Sequence, residues 1–173
     1  MLLYHFTHAP GLAGIRKDGF IRPSAADHSF AGGYVCLTSD PDRMGHGLPD
    51  GRPIPQGHST PLKAFNVNGV ICCADHTEFR LTIPIDEADK NLESFVKLVP
   101  EERDRLGLSV SGYFPLGGDI SDQELLIAVG AMSMNLIKDK SPTWWFYQGS
   151  LPMGLITAYE VLDATGKYVP IYR

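Results

Sequence analysis

Met1-Leu2-Leu3-Tyr4-His5-Phe6-Thr7 is a short apolar run with a His and a Thr on alternate positions. It reads as a β-strand over residues 2–6. Successive side chains of a strand point to opposite faces. His5 and Thr7 therefore project together from one face, and Tyr4 and Phe6 pack on the other. Pro10 stands where a helix begins, Leu12 and Ile15 give that helix a short apolar face, and Lys17-Asp18-Gly19 ends it. Gly19 suits a helix C-cap, which usually needs φ > 0. A strand with a polar pair, a short helix and a Gly turn make a cradle for a nucleotide.

The rest of the chain extends this into one α+β domain. Phe20-Ile21 is a brief extended piece before Pro23, and Tyr34-Val35-Cys36-Leu37-Thr38-Ser39 is a strand by its β-branched and aromatic content. Residues 40–64 are rich in Pro and Gly, from Pro41 and Gly45 to Pro61. A loop that long inside a compact domain is usually functional or mobile. Residues 70–73 and 78–85 read as strands, the second from the alternation of Phe79, Leu81 and Ile83 with Arg80 and Thr82. Residues 91–106 read as helical, with Leu92, Phe95, Val96, Val99 and Leu106 on one side and Pro100 dividing them into two short helices. Residues 107–121 are a Gly-rich loop. Strands follow at 124–129 and 144–147, and residues 159–162 and 168–172 form a closing hairpin around Asp163-Ala164-Thr165-Gly166. Strands dominate, and the helices fall in the first two-thirds.

Composition bounds the function. The chain has 173 residues, 43% hydrophobic and 20% charged, which suits one globular domain with a sizeable core. A net charge of −5 argues against affinity built mainly on phosphate contacts. Arg16, Lys17 and Arg22 read as solvated surface, as do Arg43 and Arg52. No apolar run approaches the roughly 18 residues that span a bilayer, and the start lacks a signal-peptide pattern. Cys36, Cys72 and Cys73 are odd in number and two are adjacent, which fits a reducing cytoplasm.

Three segments in order resemble the ADP-ribosyltransferase fold, with its split β-sheet core and few short helices. The first is Tyr4-His5-Phe6-Thr7 with Leu12, Ile15 and Asp18-Gly19-Phe20-Ile21. Tyr34-Val35-Cys36-Leu37-Thr38-Ser39 looks like the second core strand. Asp122-Gln123-Glu124-Leu125-Leu126-Ile127 is similar to the strand that begins with the catalytic Glu. The nearest look-alikes are DNA-modifying toxin–antitoxin enzymes with a His–Tyr–Glu type site, and RNA 2′-phosphotransferases share a similar opening. The resemblance implies NAD as cofactor, a macromolecular or small-molecule acceptor and an antitoxin partner. Nothing in it implies a membrane.

The same resemblance assigns roles. The family reaction breaks the nicotinamide–ribose bond through an oxocarbenium-like transition state, whose growing positive charge a carboxylate stabilises. Glu124 is that carboxylate, with Tyr113, Phe114, Asp122 and Gln123 as candidates for acceptor choice. Asp122, two places before Glu124, departs from the pattern of some members. His5 bonds the adenosine-side ribose with Thr7 beside it. Tyr34 stacks on nicotinamide, in competition with Tyr4 and Tyr113, because aromatic faces suit a flat cationic ring. Thr38 and Ser39 bond a ribose or the nicotinamide amide, or else cap the turn before Asp40-Pro41. Arg80 holds pyrophosphate through bidentate bonds, or forms a rim salt bridge. Glu78 and Glu160 are alternatives to Glu124.

Other chemistry has a thinner basis. Cys72-Cys73-Ala74-Asp75-His76 holds three ligand types but lacks metal-site spacing, so its cysteines read as structural. Trp144-Trp145-Phe146-Tyr147 reads as core or sheet face in an acidic chain. Two other functions remain open. RNA 2′-phosphate transfer would draw on His8, Arg22, Arg43 and Arg80. A non-catalytic module would bind a nucleotide or partner without turnover.

Overall fold

A computed structural model describes residues 1–24, 33–46, 48–51, 53, 64–95, 97 and 140–171. The α+β architecture is mostly antiparallel sheet. Strand β1 (Leu2–Thr7) leads into helix α1 (Ala9–Asp18) and β2 (Phe20–Ile21), then β3 (Tyr34–Thr38). A hairpin follows, β4 (Ala64–Val67) and β5 (Val70–Cys73), then β6 (Phe79–Pro84) and β7 (Leu92–Ser94). The chain ends in β8 (Trp144–Gln148), β9 (Leu151–Pro152), β10 (Ala158–Leu162) and β11 (Tyr168–Pro170), with 3-10 turns at Ser141–Thr143 and Met153–Leu155. Seven strands form the main sheet in the order β11-β10-β6-β1-β3-β8-β7. β2 pairs with β9, and β4 with β5. No helix among the described residues is long and apolar enough to cross a membrane.

Local chemistry explains the elements. α1 begins with Pro in its first turn, where the missing N–H is not needed, and ends at Gly19 with φ 80°. The Gly19 N–H closes the helix on the Ile15 carbonyl at 2.9 Å. Asn68-Gly69, with φ of 51° and 86°, makes the tight hairpin turn between β4 and β5. A Cβ at Gly11 would lie 2.2 Å from Thr7 Oγ1, so α1 sits directly on the end of β1.

Strand pairing sorts side chains by face. β1 and β6 pair along their whole length, from Leu2↔Pro84 to Thr7↔Phe79. β3 and β8 pair from Tyr34↔Gln148 to Thr38↔Trp144. Where these halves meet, β1 and β3 share one register pair, Tyr4↔Thr38. One face of the sheet carries Leu3, Val35, Leu81, Ile83, Tyr147 and Tyr159, which pack on Leu12 and Ile15 of α1 and on Ile21, Leu151 and Ile156. Leu3, Leu81 and Ile83 are fully buried, each worth roughly 1.5–3 kcal/mol of transfer free energy. The other face carries Tyr4, Phe6, Cys36, Thr38, Arg80, Trp144, Phe146 and Glu160 by the same alternation.

Strands expected at 2–6, 34–39, 70–73, 78–85 and 144–147, and the closing hairpin, are present to within a residue or two. The helix expected from residue 91 is corrected at its start: Leu92–Ser94 is an edge strand on β8, with Leu92 opposite Tyr147. Burial of Leu92 against the sheet outweighs the helical spacing of its neighbours, and of the described residues after this strand Phe95 and Lys97 are helical. The expectations for the remainder of that helix, for the Gly-rich loop and for a strand at 124–129 fall within residues 98–139, outside the described residues.

Candidate functional site

A cavity of about 330 Å³ opens where β1 and β3 part, a volume at the lower end for small-molecule sites. Its floor is Tyr4 and Phe6 of β1, Cys36 and Thr38 of β3, and Trp144 and Phe146 of β8. His46 and Leu48 come from the segment after β3, and His76 from the turn before β6. His5, Ser24 and Leu37 complete the lining. No Asp, Glu, Lys or Arg is among these residues. The described wall is largely aromatic.

Two histidines there hold opposite tautomers. His5 Nδ1 lies 3.0 Å from the Cys36 carbonyl, which can only accept, so Nδ1 carries the proton and Nε2 is an acceptor. Burial lowers the His5 pKa, against the pull of that carbonyl, and keeps the ring neutral. His46 is 6% exposed, and its Nδ1 accepts from Trp144 Nε1–H at 3.0 Å, so its proton sits on Nε2. The Asp42 carbonyl favours a proton on this ring but does not meet hydrogen-bond geometry at the buried Nε2. Burial, then Lys140, lower the His46 pKa, and Asp40 and Asp42 oppose them. The Cys36 side chain is open to the cavity, yet surrounding protein pushes its thiol up to about 11, with Ser24 opposing.

The segment carrying His46 is tied down at several points. Lys140 pairs with Asp40 at 2.8 Å. Burial alone would raise the Asp40 pKa, but bonds to Lys140 and the Asp42 N–H leave it below the ordinary carboxylate value. Asp40 and Asp42 carboxylates cap the N–H groups of Asp42 and Met44. Ser39 N–H donates to the Thr143 carbonyl at 2.8 Å. Arg43 donates to Thr77, whose hydroxyl donates to Asp75. Arg80 donates to the Pro41 carbonyl at 2.8 Å.

The expected site residues divide. His5 and Thr38 line the cavity. The Thr143 hydroxyl donates to the Lys140 carbonyl, so Thr38 donates to Thr143 and accepts from the Asp40 N–H, the turn-capping arrangement. Thr7 shares the face of His5, as alternation requires, but that face is the one α1 covers, and Thr7 is buried outside the lining. Tyr4 and Phe6 are the pair that reach the cavity. Tyr34 shares the sheet face of Phe146 but is outside the lining, edge-on to that ring at 6.1 Å and 82°. Arg80 is outside the lining, held by Glu160 through Nε and Nη2 at 2.8 and 2.9 Å. Glu78 caps α1 through the Ala9 N–H at 2.8 Å. Glu124, Tyr113, Phe114, Asp122 and Gln123 lie outside the described residues.

His46, Cys36 and the Trp144–Phe146 wall were not singled out for the site from the sequence. For Trp144 and Phe146 a signal existed: alternation sends them to the face opposite Trp145 and Tyr147. His46 had none. No group of three or more His, Cys, Asp or Glu side chains among the described residues is placed to hold a metal ion. In the 72–76 segment, Cys73 is buried, Asp75 caps Thr77 and His76 turns to the cavity, stacked on His8 at 4.5 Å. No family model, curated protein or solved structure matches the chain.

Proposed function

We propose that the chain is an NAD-dependent mono-ADP-ribosyltransferase that takes the nicotinamide end of NAD into this cavity. The observation that carries the reading is the aromatic wall at the single-pair junction of β1 and β3, without Asp, Glu, Lys or Arg among its described residues. Tyr4, Phe6 and Trp144 offer π-faces to a flat cationic ring. His5 Nε2 is an acceptor suited to a ribose hydroxyl. Glu124 supplies the carboxylate that stabilises positive charge on the ribose as nicotinamide leaves. The acceptor is a macromolecule, as for a toxin held in check by an antitoxin.

The absence of Arg and Lys from the described lining weighs against RNA 2′-phosphate transfer, which needs cations around a phosphate. Purified protein incubated with NAD, beside Glu124→Gln, tests the proposal by nicotinamide release and by mass shifts on added protein or DNA. Release that disappears in the variant supports it. NAD binding without release in either protein favours a non-catalytic module. The absence of both binding and release overturns the NAD reading.

A further inference from the structure

We infer that Arg80 is a positioning residue, which fixes the floor of the cavity to its roof without lining it; the ligands in its test rest on the NAD reading above. Register places Arg80 opposite Phe6 on β1 and opposite Glu160 on β10. Its guanidinium lies 5.3 Å from the Tyr4 ring centroid and 4.4 Å from that of Tyr168. Nε and Nη2 each meet one oxygen of Glu160, and Nη1 meets the Pro41 carbonyl at 2.8 Å. Tyr4 is cavity floor, and Pro41 belongs to the segment that ends in His46, which is cavity roof.

One planar group therefore touches the floor, the roof segment and the β10–β11 flank. Its side chain is 17% exposed and that of Glu160 is 16%, so water competes weakly for these bonds. All three guanidinium nitrogens already donate. Three of its five N–H groups are used in this way, so a phosphate seeking the Nε–Nη2 fork would have to displace Glu160. The geometry also demands Arg: a Lys ammonium keeps the charge but loses the fork and the plane that stacks on two rings.

The test compares wild type, Arg80→Lys and Glu160→Gln. Nicotinamide and NAD are titrated into each, and the indole N–H resonance of Trp144, which donates to His46, is followed by NMR with and without ligand. Glu160→Gln is the second variant should Arg80→Lys fail to fold. Positioning predicts that both variants move the Trp144 resonance without ligand. Both also weaken nicotinamide and NAD in parallel, Arg80→Lys by about tenfold or more, with KM for NAD changed more than kcat.

Direct phosphate binding predicts the opposite sign for Glu160→Gln. It would release the guanidinium, tighten NAD and leave nicotinamide, which has no phosphate, unchanged. That result, or a Trp144 resonance unmoved in both variants, overturns the inference. Wild type that binds neither ligand overturns the NAD reading alone, because the Trp144 resonance still reports the cavity.

Discussion

β1 has two unlike edges. Along β6 it is paired from end to end, and the residues at that seam, Leu3, Leu81 and Ile83, are sealed from water. Along β3 it shares one register pair, and beyond that pair a His side chain, not a backbone N–H, bonds the facing carbonyl of Cys36. A sheet that is closed on one side of a strand can leave the other side open without losing its core. The closed edge supplies cohesion, and the open edge supplies a wall on which backbone and side-chain groups remain for a ligand.

The largest expected effect sits on the closed edge. Leu81→Ala removes a side chain with no exposure and should cost about 2–5 kcal/mol of stability in denaturant or thermal unfolding. Phe6→Leu at the open edge keeps an apolar group and should shift the unfolding midpoint far less, while weakening ligand binding more. Equal losses of stability at the two positions would break the comparison.

Next in size is a bond that joins the wall to its roof. Trp144→Phe deletes the donor to His46 Nδ1 and leaves that nitrogen buried, a loss of about 1–3 kcal/mol. A midpoint unchanged by this variant would show that the roof does not depend on the floor.

Acid should act through the same region. Burial lowers the pKa of both His5 and His46 below 6.5, so the folded chain resists protons that the unfolded chain accepts. Stability is therefore full above that value and falls as pH drops through it, until the folded rings protonate as well. Thermal midpoints taken from alkaline to acid pH check the direction. His5→Asn and His46→Asn, which cannot take the proton, should each flatten part of the fall.

The smallest effect is a rate. Cys36 is open to the cavity, but a thiol pushed up to about 11 holds little thiolate at neutral pH. Alkylation followed by peptide mass mapping should be slow at Cys36, should accelerate with pH, and should be suppressed by any compound that fills the cavity. Fast labelling at neutral pH would mean that the parting is wider than the geometry allows.

The legible part of the fold was the part written in local alternation. Leu2 to Thr7 announced a strand because its residue types and spacing are strand-like. Alternation also separated His5 and Thr7 from Tyr4 and Phe6. It could not say which face α1 would cover, because that depends on contacts between Leu12, Ile15 and strands far along the chain. Of the pair expected to face a nucleotide, Thr7 is therefore buried against α1, while His5 reaches the cavity. β7 was missed for a related reason: Leu92 is a strand residue only because β8 has an edge to offer it. His46 lies in a Pro- and Gly-rich segment with no period, and its place comes from ties to Lys140, Arg43 and Arg80 that no local pattern encodes.

The absence of Asp, Glu, Lys and Arg from the described lining carries a consequence for ionic strength. Groups without formal charge form contacts that added salt does not screen. A ring held by Tyr4, Phe6 and Trp144 should bind with the same affinity in dilute and concentrated salt. Any salt dependence found for a larger ligand then comes from the portion that extends past these walls. Its slope would count the ionic contacts made there.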